Sequence, residues 1–99
     1  MKNLLLVLTA LVLASPAHAA TPPTPAQKAD FLATCLKVAP AAGELCRCKA
    51  DAAMTLIDTE FMAVVIAAMK GKDVEDKYYD AYNDYIAHST EACGMGSSM

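Results

Sequence analysis

Large aromatic side chains and long apolar runs are both scarce in this chain. Its 99 residues include no tryptophan and two phenylalanines, so other side chains must fill any core. Its longest mainly apolar stretch is eleven residues, at 4–14, against the ~20 that a membrane-spanning helix needs. The sequence also contains no phosphate loop, no dinucleotide fingerprint and no H-E-x-x-H motif. We therefore expect no membrane anchor, no cofactor and no enzymatic activity.

Basic residues are outnumbered by acidic ones. The chain has 8 Lys and Arg against 11 Asp and Glu. Removal of residues 1–19, which include Lys2, would take the net charge from −3 to −4. Nucleic acids and anionic membranes attract proteins through basic patches. The charge balance therefore argues against both as partners.

The N-terminal segment has the three parts of an export signal. Residues 1–3 form a short basic start, 4–14 an apolar region, and 15–19 end in an A-x-A cleavage site. We expect cleavage after Ala19. The mature product, residues 20–99, would then be periplasmic or secreted, with no membrane attachment.

The cysteines predict a crosslinked domain. There are four, Cys35, Cys46, Cys48 and Cys93. An even number in a small exported chain indicates two disulfides. Residues two apart on a helix point about 200° from each other, which excludes a bond between Cys46 and Cys48. Two pairings stay open. A hairpin turning near Ala41 and Ala42 favours Cys35 with Cys48 and Cys46 with Cys93.

The first predicted helix has a clear beginning and end. Thr24 can cap it, Pro25 suits its first position, and Gln27 completes a capping box. Pro40 ends it. An apolar stripe at helical spacing lies between them and is formed by Leu32, Cys35, Leu36 and Ala39.

Three further helices are predicted. The second, about 44–57, is apolar on two faces, which places it between two neighbours. The third begins after a cap at Asp58, and because 61–69 is apolar nearly all round we expect it to be the most buried segment. The fourth begins at a cap on Asp73 and stops at Gly94. Its stripe contains Val74, Tyr78, Ala81, Tyr82, Tyr85, Ser89 and Cys93.

These elements add up to an all-α, four-helix domain held by two disulfides. Its divisions are a signal peptide at 1–19, an extended leader at 20–24, the helical domain at 25–94 and a flexible tail at 95–99. We expect this domain to act as a binding module for a protein partner. The candidate surface is an uncovered apolar face of the third or fourth helix, including the tyrosines Tyr78, Tyr79, Tyr82 and Tyr85, which could equally close the core.

The pair Cys46 and Cys48 suggests an alternative function. Arg47, Lys49 and the beginning of a helix would lower the pKa of both thiols. Thiolates of that kind bind copper or zinc, so a soft-metal site is the second hypothesis. Thiol–disulfide exchange is a third, since it also needs a reactive thiolate.

Overall fold

The computed structural model describes residues 20–94, where the chain is helical and has no strand. Its elements are α1, Pro25–Val38; α2, Gly43–Leu56; α3, Thr59–Met69; a 3₁₀ turn, Asp76–Tyr78; and α4, Tyr79–Ala92. The prediction of a small all-α domain with four helices is confirmed. None of the helices within 20–94 is both long and apolar enough to cross a membrane. The predicted signal peptide and tail lie outside the described residues.

Helix α1 begins as its sequence predicts. The Gln27 amide donates to the Thr24 hydroxyl at 3.0 Å, and the Thr24 amide donates to the Gln27 side-chain oxygen at 3.0 Å. The buried stripe differs from the predicted one, because Phe31 and Thr34 are the buried residues of this helix. Helix α1 contacts both α2 and α3, and Phe31 belongs to the core that all three share.

Helix α2 lies between α1 and α4, as its two apolar faces predict. Small residues line its buried side, with Ala50 and Ala53 fully enclosed. Helix α3 packs mainly against α1 and is buried on one face only, since Ala63 is exposed. The core comprises Phe31, Ala50, Ala53, Met62, Val65, Ile66 and Tyr85.

Helix α3 ends at a glycine in the left-handed region. Gly71 has a φ of 100°, a conformation that costs glycine little. Its amide donates to the Ala68 carbonyl, and the Lys72 amide donates to the Ala67 carbonyl, both at 3.0 Å. These two bonds form a Schellman motif, which closes the helix.

The predicted start of the fourth helix at Asp73 is wrong, because residues 72–75 are not helical and α4 begins at Tyr79. Tertiary packing explains why α4 begins later in the chain than predicted. The Tyr78 ring meets the Phe61 ring edge-on, with centroids 5.7 Å apart. Phe61 lies at the other end of α3 from Met69, about 12 Å away along the helix axis. Four extended residues cover about 13 Å, whereas four helical ones cover about 6 Å.

All four cysteines are bonded, but the favoured pairing is wrong. Cys35 joins Cys46, with Cα atoms 5.7 Å apart, and Cys48 joins Cys93, with Cα atoms 5.8 Å apart. The reason lies in the hairpin between α1 and α2. It turns at residues 40–41, one residue earlier than expected, and this shift brings Cys46 rather than Cys48 opposite Cys35.

Candidate binding groove

The predicted thiol site contains no free thiol. Cys46 is fully buried, and no cysteine within 20–94 is unbonded. The described residues also hold no group of three or more His, Cys, Asp or Glu that could bind a metal ion. Metal binding or thiol exchange at Cys46 and Cys48 would first require reduction of two disulfides.

The four tyrosines are spread from the core to the surface. Tyr85 is 4% exposed and belongs to the core, whereas Tyr79 is 55% exposed. Tyr78 and Tyr82 are partly buried. Among the four, Tyr85 alone lines a groove between the leader, the end of α2 and α4.

This groove has a volume of about 670 Å³ and lies where three elements meet. Leader residues 20–22 form one wall. Residues 54–58, at the end of α2 and the corner before α3, form the floor together with Phe61. Helix α4 forms the second wall, through Ala81, Asp84, Tyr85 and His88. A concave site of this size suits a ligand or a short stretch of chain.

A hydrogen bond holds the leader wall against the beginning of α3. The Thr59 amide donates to the Thr21 carbonyl at 2.8 Å. Pro23, two residues on, is buried. The sequence analysis assigned this leader no role in a site, because residues 20–23 have no apolar periodicity that would indicate a contact.

The α4 wall is fixed to α2 near the C-terminal end of α4. The Cys48–Cys93 disulfide joins the two helices. Next to it, the Lys49 ammonium donates to the Thr90 hydroxyl at 3.2 Å. Partial burial lowers the pKa of Lys49. The covalent bond and the hydrogen bond together set the spacing between these two helices.

The floor of the groove is apolar. Leu56 is 42% exposed, although its place in the α2 pattern predicted a buried position. Met54, Ile57 and Phe61 are partly buried around it. Exposed large apolar groups that share a concave surface are typical of interaction sites.

The charged groups that line the groove are acidic. They are Asp58 and Asp84. His88 also lines the groove, whereas no lysine or arginine does. Asp58 caps α3 by accepting from the Phe61 amide at 2.8 Å through one carboxylate oxygen. Asp84 is exposed and has no ion pair within the described chain. The groove therefore offers negative charge to an occupant.

A buried hydroxyl lies within the α4 wall. The Tyr85 hydroxyl is enclosed and has no hydrogen-bond partner among residues 20–94. Burial raises the pKa of Tyr85 to about 12, an effect that the neighbouring Ser89 hydroxyl opposes and Tyr82 reinforces. Ser89 donates to the Ile86 carbonyl at 3.3 Å. Leaving a buried polar group unpaired costs about 1–3 kcal/mol.

A second groove, of about 510 Å³, lies between α1 and the end of α3. It is lined by two lysines, Lys37 and Lys70, and by Val38, which is 67% exposed. Lys70 is paired with Asp30 at 3.3 Å. This surface differs from the first groove in charge, and its exposed valine makes a useful control position.

Comparison with known proteins adds no relative: no protein-family model, curated protein or solved structure matches the chain. Evidence for function therefore comes from the residues of the grooves themselves.

Proposed function

We propose that the mature protein is a small exported binding module that holds a protein partner in the groove between the leader, the α2–α3 corner and α4. The observation that carries this proposal is the partly exposed apolar floor around Leu56, which lies between the leader wall and the α4 wall. The leader wall is held by the hydrogen bond from Thr59, and the α4 wall by the Cys48–Cys93 disulfide. Two disulfides fit an oxidising compartment, which supports the periplasm or the cell exterior as its location.

The crosslinks favour binding because they fix the groove in advance. Disulfides closing loops with sequence separations of 11 and 45 contribute about 3 and 4 kcal/mol by the chain-entropy relation. The sum of these two contributions is comparable to the whole free energy of unfolding expected for a domain of this size. A preformed site loses less conformational entropy when a partner binds.

A pair of variants tests the proposal. The mature protein, Leu56→Lys and Val38→Lys are each immobilised and incubated with periplasmic extract of the source organism. Both substitutions place a cation on an exposed apolar position, one in the groove and one in the second groove. We expect a protein that the wild type and Val38→Lys retain and Leu56→Lys loses.

Two results would contradict the proposal. One is retention of the same protein by Leu56→Lys, which would move the interaction away from the groove. The other is the absence of any protein held by the wild type and released by the groove variant. Circular dichroism of the three proteins checks that each keeps the helical fold.

A further inference from the structure

The groove combines two properties that specify its occupant. Its floor around Leu56 and Ile57 is apolar, and its rim carries the carboxylates of Asp58 and Asp84. Asp84 is not neutralised by any cation of the described chain. An apolar surface beside uncompensated negative charge is complementary to an apolar group beside a positive one.

We infer that the groove binds a stretch of a partner's chain that presents a lysine or arginine beside a large apolar side chain. The cation lies against Asp84 and Asp58, and the apolar group covers Leu56. This inference rests on the proposed function and specifies the chemistry of the partner.

A stretch of chain fits the groove better than a small amine does. The site joins three elements over about 670 Å³, so a single cation with one short apolar group would leave much of it unfilled. A few consecutive residues supply the cation and the apolar group together and fill more of the groove.

Matched peptides test the charge requirement. The probes are three fluorescein-labelled synthetic peptides of equal length: one alternates leucine and lysine, one replaces lysine with glutamate, and one replaces leucine with serine. Anisotropy titrations use the oxidised mature protein. We expect the leucine–lysine peptide to bind at least about tenfold more tightly than either control, and its affinity to fall as salt rises from about 0.05 M to 0.5 M.

Matched variants test the residues. Asp84→Asn should weaken the leucine–lysine peptide about twofold to fivefold. Asp80→Asn removes the same charge from α4 outside the groove and should change the affinity little.

Several outcomes would overturn the inference. They are equal binding of the lysine and glutamate peptides, equal effects of Asp84→Asn and Asp80→Asn, or no binding of the leucine–lysine peptide up to about 1 mM. Octylamine that binds as tightly as the peptide would replace the chain segment with a small amphiphile.

The proposed function and the proposed chemistry of the partner are contradicted by different results. If the protein captured from extract depends on Leu56 but ignores salt and Asp84→Asn, the cationic chemistry is wrong and the groove remains the binding surface. If Leu56→Lys leaves capture unchanged, the groove itself is wrong.

Discussion

Gln27 and Thr59 exchange hydrogen bonds in both directions. The side-chain nitrogen of Gln27 donates to the Thr59 carbonyl at 2.9 Å, and the Thr59 hydroxyl donates to the Gln27 side-chain oxygen at 2.9 Å. The same oxygen also receives the Thr24 amide. Since the Thr59 amide binds the Thr21 carbonyl, this one pair of residues joins the beginnings of α1 and α3 to the leader wall of the groove.

Replacing Gln27 should therefore weaken both the fold and the leader. Gln27→Ala removes three side-chain hydrogen bonds, and we expect it to lower the free energy of unfolding by about 2 kcal/mol. Thr59→Ala removes only the bond from the Thr59 hydroxyl to Gln27, so it should cost less. Urea unfolding measures both. Equal losses for the two variants would show that the other two bonds of the Gln27 side chain contribute nothing.

The Tyr85 hydroxyl predicts a loss of stability at high pH. Because its pKa rises from 10.0 in the unfolded chain to about 12 in the folded protein, the folded state keeps the proton after the unfolded state has lost it. The resulting stabilisation is complete below pH 10 and disappears as pH rises towards 12.

Urea unfolding of the wild type and Tyr85→Phe across this range tests the prediction. The variant should lose this part of the pH dependence. At neutral pH it should be as stable as the wild type or more so, because it removes an unpaired buried hydroxyl. Tyr79→Phe serves as the control, because Tyr79 is exposed, and it should keep the wild-type dependence. An identical pH profile for wild type and Tyr85→Phe would contradict the assignment.

The two disulfides should differ in what they stabilise. Replacing Cys48 and Cys93 with alanine opens the larger loop and should cost about 4 kcal/mol, against about 3 kcal/mol for replacing Cys35 and Cys46. The first variant should also release α4 from α2. Hydrogen exchange should then show faster exchange in α4 than in the rest of the domain. Unchanged protection of α4 would mean that noncovalent packing alone holds this wall.

Local signals in the sequence predicted much of the fold. The capping box at Thr24 located the beginning of α1 correctly, and the two apolar faces placed α2 between neighbours. The beginning of α4 could not be found in this way. Asp73 is a good cap by its residue type, but the chain must first run back along α3 to bring Tyr78 to Phe61, and this requirement is visible only in three dimensions.

The candidate site was harder to predict than the fold. Helical periodicity places Leu56 on an apolar face but does not reveal that no helix covers it. The leader residues carry no periodicity, so their contact with Thr59 could not be anticipated. The pairing of the cysteines depended on a shift of one residue in a turn. Helix boundaries predicted from sequence carry an error of about one or two residues, so they cannot resolve a shift of this size.

The central claim is that α2 is held between α1 and α4, because the groove exists only if α4 is fixed beside the end of α2. Digestion with trypsin tests this directly, since Arg47 separates Cys46 from Cys48. Mass spectrometry of the unreduced digest should show peptide 29–37 joined to 38–47, and 48–49 joined to 78–99. Peptide 29–37 joined to 48–49, or any of these four peptides with a free thiol, would contradict the account.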